Sequence, residues 1–328
     1  SDVCSSDLGS MPTLRHVPHS ARHLWSQTLT RALATVVHRN DEQAWQELLM
    51  LPRCVLGTPP HSGRKHVKAS AAYTLDRLHR WQQGERMSLW ESRGRLLGGA
   101  GRSKPPTVDE QRALATALAR EGFDRKACNA LQSEGLCPQT AATTQALQAL
   151  HPAQPVPTTP ELAAQPLAPV LVPDAVARAL RSFPADTAAG PSGLRVQHLR
   201  EACASGSSEA LLQQLCGVVG LLAQGQACAA VAPCLAGASL VALPKPNGGV
   251  RPIAVGEILR RLTAKCLMEA VRDEARQHFA PVQLGVATAG GAEAAVHTAR
   301  AWHDRNAGHT GKILVKLDFK NEIGRAHV

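Results

Sequence analysis

Aromatic residues make up only 3% of this 328-residue chain, so its cores must be filled by leucine, alanine and valine. Cysteine occurs nine times but never as a Cys-x-x-Cys pair, a spacing that supports neither a zinc site nor a secreted disulfide framework. Reduced, mostly buried thiols are expected instead. No run of about twenty apolar residues is present to span a membrane, and the N-terminus lacks the charged-then-apolar order of a secretion signal. The expectation is an intracellular protein with no membrane partner, nucleus and cytoplasm being indistinguishable. Acidic residues are the minority, 26 against 36 lysines and arginines, for a net charge of +10. That surplus suits a polyanionic partner, because each Lys or Arg near a phosphate releases a condensed counterion. A ribosomal or membrane-surface protein could carry the same balance. Apolar residues reach 44%, enough for real cores in a length that allows two domains.

The two ends mirror each other at the level of coding. Asp2–Leu8, D-V-C-S-S-D-L, back-translates to GAC GTG TGC TCT TCC GAT CTC, whose reverse complement translates as E-I-G-R-A-H-V, the sequence of Glu322–Val328. Residues 1–8 and 322–328 are therefore expected to be adapter-derived scars and are set aside from fold reasoning. Setting them aside removes Asp2, Asp7, Glu322 and Arg325, which raises the balance to +12.

Between the scars the apolar spacing predicts helices over Ser20–Val37, Asp41–Leu51, Ala69–Arg86, Thr107–Glu121, Asp124–Ser133 and Gln139–Leu150. The Thr107-x-x-Glu110 pattern suits a capping box. In the Ala69–Arg86 helix Leu75, Leu78 and Trp81 should face inward, with Arg77 and Arg80 on the opposite face. Cys54–Lys68 and Arg93–Pro106 read as loops, the first ending in the basic cluster Arg64, Lys65 and Lys68. Prolines at 152, 155, 157, 160, 166, 169 and 173 deny Pro152–Pro173 regular hydrogen bonding. The organisation is read as a helical N-terminal extension, 9–151, a Pro-rich linker, 152–173, and a further domain, 174–321. In that last part helices are predicted near Asp174–Arg181, Ser208–Ala223, Glu257–Phe279 and Ala292–Arg305. Ile258, Leu262, Leu267 and Val271 should face inward on the third of these.

Two stretches carry candidate chemistry. Leu240–Val255, L-V-A-L-P-K-P-N-G-G-V-R-P-I-A-V, reads as two strands joined by a Pro/Asn/Gly turn, with Lys245 and Arg251 flanking that turn. Pro252 suits an edge strand, and Gly248-Gly249 suit the turn. Lys312–Phe319 reads as a strand that ends in a lone carboxylate, Asp318, within V-K-L-D-F-K-N. A carboxylate at a strand end can hold Mg²⁺, and cations on a hairpin can clamp a triphosphate. Each has a plainer reading: Asp318 as a solvated carboxylate, Lys245 and Arg251 as charges that blunt a hairpin edge. Arg260, Arg261 and Lys265 on successive helical turns are either a solvated face or a face for a nucleic-acid backbone. The Gly290-Gly291 pair either cradles an anion or permits the turn into the following helix.

These stretches, with F-P-A-D-T-A-A-G-P-S-G-L-R-V-Q-H-L at Phe183–Leu199 and Q-L-G-V-A-T-A-G-G-A-E-A-A-V-H at Gln283–His297, form four ordered blocks. Together they resemble the reverse transcriptase of non-LTR retrotransposons. The resemblance implies an α+β fold in which a mostly helical N-terminal extension precedes the fingers and first palm strand of an incomplete right-hand polymerase. It further implies that the parent is an RNA-directed DNA polymerase, a nucleotidyltransferase joining dNTPs to a DNA primer on an RNA template with Mg²⁺. By the same resemblance Asp318 is the catalytic metal ligand and the carbonyl of Phe319 a second one. Lys245, Arg251, Arg260, Arg261 and Lys265 would then contact nucleotide or template. The family's second motif, an aromatic-Ala-Asp-Asp turn, is expected downstream of Asn321, so this fragment is expected to be inactive. The alternatives are a basic nucleic-acid-binding module without polymerase activity, and a reverse transcriptase of group II intron or retron type.

Overall fold

The computed structural model describes residues 12–59, 66–94, 106–120, 122–138, 140–150, 167–184, 186–205, 208–245 and 248–317. Asp318, Phe319, the Arg64-Lys65 pair, most of the 152–173 and 93–106 segments, and both terminal scars lie outside the described residues.

Helix α1, Arg22–Arg39, follows a 3-10 turn at His19–Ala21 and buries Trp25, Leu29, Leu33 and Val36 completely. These residues recur every three to four positions and form one stripe. The chain reverses at Asn40, which takes a left-handed φ of 46°. Asp41 then caps α2, Glu42–Val55, by accepting a hydrogen bond from the Ala44 N–H at 2.8 Å. That bond, with Arg39 beside it, holds the Asp41 carboxyl below its ordinary value. Helices α3, His66–Gln82, and α4, Arg86–Gly94, complete the N-terminal group.

Arg77 departs from its expected solvent-facing place. It is 4% exposed and donates to the Cys54 carbonyl, to the Leu89 carbonyl at 2.8 Å and to the Tyr73 hydroxyl at 3.1 Å. The guanidinium has five donors, and it spans from the Cys54 carbonyl near the C-terminus of α2 to the Leu89 carbonyl within α4, acceptors that no aliphatic side chain could satisfy.

Helices α5, Val108–Arg120, and α6, Asp124–Leu131, pack on each other through Ala115, Leu118, Ala127 and Ala130 around Phe123. The capping box forms: the Thr107 N–H donates to Glu110 and the Glu110 N–H to the Thr107 hydroxyl. Helix α7, Ala141–Leu150, buries no residue.

After the Pro-rich segment come α8, Pro173–Arg181, α9, Val196–Cys203, α10, Ser208–Ala223, and the short α11, Ala232–Ala236. Helices α8, α9 and α10 share one hydrophobic cluster with α1 and α2. The Trp25 indole N–H donates to the His198 carbonyl at 3.1 Å, and the Ser26 hydroxyl to the Ala202 carbonyl at 2.9 Å. The proline-rich segment thus separates two stretches of sequence whose helices fill the same core. Its end is fastened too, since Gln224 donates to the Ala168 carbonyl at 2.8 Å.

Strands β1, Ala238–Pro244, and β2, Val250–Gly256, form an antiparallel hairpin in the register Ala238 to Gly256 and Leu243 to Arg251. With a largely helical remainder this makes the class α+β. The expected Glu257–Phe279 helix is two helices, α12, Ile258–Ala270, and α13, Arg272–Phe279, interrupted at Val271. Ile258 and Leu262 are buried as expected, but Leu267 is only half-buried and Val271 is 37% exposed. The second half, R-D-E-A-R-Q-H-F, has no apolar stripe to hold it on the core and is braced instead by ion pairs such as Arg276–Asp273 at 3.5 Å.

Helix α14, Gly291–Asn306, is exposed along most of its length. The strand expected over Lys312–Phe319 does not form across its described part: Lys312–Leu317 has no regular structure, and Ile313 and Leu317 are 79% and 71% exposed. Strand propensity is expressed only against a neighbouring edge, and the described sheet consists of β1 and β2 alone.

The expectation of mostly buried thiols holds for Cys54, Cys216 and Cys266, while Cys128 is exposed. Among the described residues no helix is long and apolar enough to cross a membrane.

Candidate nucleic-acid interface

The hairpin stands on a fastened base. The loop Gly190-Pro191-Ser192-Gly193 packs under the β2–α12 junction, and a Cβ on Gly190 would lie 2.6 Å from the Glu257 Cα and 2.7 Å from the Gly256 carbonyl oxygen. Both neighbours are backbone and cannot step aside. Ser192 donates its N–H and hydroxyl to the Glu257 carboxylate at 2.9 and 2.8 Å, and the same carboxylate caps α12 by accepting from the Ile258 N–H at 2.9 Å. Burial pushes the Glu257 carboxyl up, and the bonds from Ser192 and Ile258, together with the nearby Arg53 charge, pull the other way. Arg53 donates to the Pro191 carbonyl at 2.8 Å. Gly193 takes a φ of 78° and donates no side chain into the space held by Thr13 and Arg53. The glycines of this block are thus required by close approach and by a left-handed backbone. Gly190→Ala is expected to destabilise the protein by about 2 kcal/mol through overpacking, read as a lower urea midpoint with an unchanged slope. An unchanged midpoint would mean that this junction is not tightly packed.

Arg260 closes the base from the other side. Its guanidinium donates to the Ala236 carbonyl at 2.6 Å, just before β1, and lies against Gly256 at the end of β2. Arg261 donates to the Ala188 carbonyl at 3.0 Å and sits 5.8 Å from the Phe183 ring centroid. Lys265 approaches the same ring at 5.0 Å. Arg261 and Lys265 thus converge on one buried aromatic face, while Arg260 and Arg261 spend donors on backbone carbonyls.

At the other end of the hairpin the Lys245 N–H donates to the Gly249 carbonyl at 2.8 Å, and the Gly248 N–H to the Lys245 carbonyl at 3.0 Å. Gly248 supplies the positive φ, 77°. Lys245 is half-buried and Arg251 exposed, and neither side chain bonds or ion-pairs with a described residue. The hairpin therefore offers two uncommitted cations beside its turn. Gly290 has a φ of 65°, and a Cβ on Gly291 would fall 1.8 Å from the Leu284 carbonyl oxygen. Steric necessity at the start of α14 accounts for this pair without an anion.

No group of three or more His, Cys, Asp or Glu side chains among the described residues could hold a metal ion. The described residues therefore do not by themselves fit a Mg²⁺ site, and Asp318 and Phe319 lie outside them. Compared with family models, curated proteins and solved structures, the chain matches none.

Several positioning residues escaped the sequence reading: Arg53, Glu257, His198 and Glu201. Glu201 is 4% exposed and accepts from the Val17 N–H at 2.7 Å and from His16 and Arg22 at 2.9 Å. These three partners stand some 180 positions away, and no local signal marks such contacts.

Proposed function

We propose that this chain is the N-terminal and fingers portion of a non-LTR-type reverse transcriptase. The parent performs Mg²⁺-dependent nucleotidyl transfer from dNTPs to a DNA primer on an RNA template. The observation that carries the reading is the hairpin, which puts Lys245 and Arg251 beside its turn as cations without partners among the described residues, as a phosphate-contacting finger requires. In this reading Asp318 and the Phe319 carbonyl belong to the metal site, and Lys265 adds a third backbone contact. Arg260 and Arg261 act mainly by holding the hairpin base. A second reading, a basic nucleic-acid-binding module without polymerase chemistry, is favoured by the absence of a strand over Lys312–Leu317.

Both readings require the chain to bind RNA with a steep salt dependence. In a filter-binding titration, Lys245→Ala with Arg251→Ala is expected to weaken binding by about tenfold at low salt and to lower the salt slope by between one and two. Salt-indifferent binding by the unsubstituted chain, or a double variant that binds unchanged, would remove the hairpin from the interface. Primer extension by a longer chain separates the two readings.

A further inference from the structure

A cleft of about 510 Å³ opens between α8 and the α12–α13 pair, lined by Arg178, Ser182, Lys265, Met268, Glu269 and Arg272 among others. Its size falls in the roughly 300–1,000 Å³ range of ligand pockets. Among the described residues three cations line it against one carboxylate. Glu269 is already engaged, since Arg272 pairs with it at 3.4 Å, which leaves Arg178 and Lys265 as the unneutralised charges. The Arg178 side chain is exposed and makes no hydrogen bond or ion pair with a described residue. The Lys265 ammonium has no hydrogen-bond or ion-pair partner among the described residues and lies 5.0 Å from the Phe183 ring centroid. A cation in the last turn of α8 is favoured by the helix dipole, but that does not explain a second, equally uncommitted cation lining the same cleft from α12. The wall between them is apolar, formed by Ala179, Ala264 and Met268, the last 56% exposed.

Two uncommitted cations over an apolar wall suit a phosphate joined to a flat, weakly polar group. A sulfate-like free anion would leave the wall uncovered, whereas a nucleotide unit covers it, the methionine thioether packing against the base. We propose that this cleft binds single-stranded RNA, Arg178 and Lys265 contacting one phosphodiester and Met268 lying under the adjoining base. The proposal rests on the nucleic-acid reading above and adds a second contact region to the hairpin.

Fluorescence anisotropy of a labelled twelve-nucleotide oligouridylate with the full chain, titrated with KCl, tests it. The Arg178 side chain has no hydrogen-bond or ion-pair partner among the described residues, so Arg178→Ala and Arg178→Glu should leave the circular dichroism spectrum intact. Arg178→Ala is expected to raise Kd about threefold to tenfold at low salt and to reduce the salt slope by about 0.7, one single-strand phosphate contact. Arg178→Glu should do more. If both variants bind like the unsubstituted chain while the Lys245/Arg251 double variant is weakened, the cleft proposal is overturned and the hairpin reading survives. If the unsubstituted chain binds no oligouridylate at low salt, both are overturned. A dNTP titrated alone should bind far more weakly than the oligonucleotide. Loss of dNTP binding in Arg178→Ala with oligouridylate binding unchanged would assign the cleft to free nucleotides and overturn the proposal.

Discussion

On the proposed function, a longer chain that carries a complete palm is expected to extend a DNA primer on an RNA template, and Asp318→Asn in it should lower that synthesis by at least about a thousandfold. A loss of that size corresponds to about 4 kcal/mol of transition-state stabilisation, within what a carboxylate supplies where divalent charge is gathered around a transferred phosphate. Asn matches Asp in shape and lacks its charge, so the substitution tests the charge alone. RNA affinity should stay within about twofold, because the proposed function gives phosphate attraction to Lys245, Arg251 and their neighbours and not to Asp318. The 328-residue chain alone should not extend a primer: one carboxylate cannot offset two cations about 4 Å apart. Extension by that chain which survives Asp318→Asn would show a different carboxylate, or a different enzyme. A longer chain that binds RNA and never extends would favour the binding-module reading.

The hairpin was legible because its signals are local. An apolar run, a turn and a second apolar run lie within Leu240–Val255, and the register that pairs Leu243 with Arg251 follows from where the turn falls. The stripe of Trp25, Leu29, Leu33 and Val36 was legible for the same reason. Polar residues were misjudged wherever their partners are distant in sequence. Arg77 has the spacing of a solvent-facing cation, yet its acceptors are the carbonyls of Cys54 and Leu89. Arg260 and Arg261 look like part of a free cationic stripe, and both are engaged at Ala236 and Ala188. The Gly-Pro-Ser-Gly block stood out as a motif, but its physical basis, a loop pressed against Gly256 and Glu257, depends on contacts some 65 residues apart. Lys312–Leu317 failed in the opposite direction: the pattern suits a strand, and a strand needs an edge to pair with.

Acidification is expected to unfasten the core at His198. Arg195 donates its N–H to Nδ1 at 3.2 Å, so the proton sits on Nε2, which donates to the Leu14 carbonyl at 2.7 Å. The ring is fully buried edge-on to Trp25. Burial drives the imidazole from 6.5 down to about 4; the Leu14 carbonyl and Glu201 oppose that shift, and Arg195 and His16 add to it. Below 6.5 the unfolded chain takes up a proton that the folded chain refuses, so the stability present above pH 6.5 is lost progressively as the pH falls toward 4. The full drop is about 3 kcal/mol at 1.36 kcal/mol per pH unit, a large share of the roughly 5–15 kcal/mol that holds a domain together. The urea midpoint should therefore fall steeply between pH 6.5 and 4.5. His198→Gln, which cannot titrate, should be less stable at pH 7 and flatter across that window. If the variant keeps the slope of the unsubstituted protein, the acid sensitivity lies elsewhere than His198.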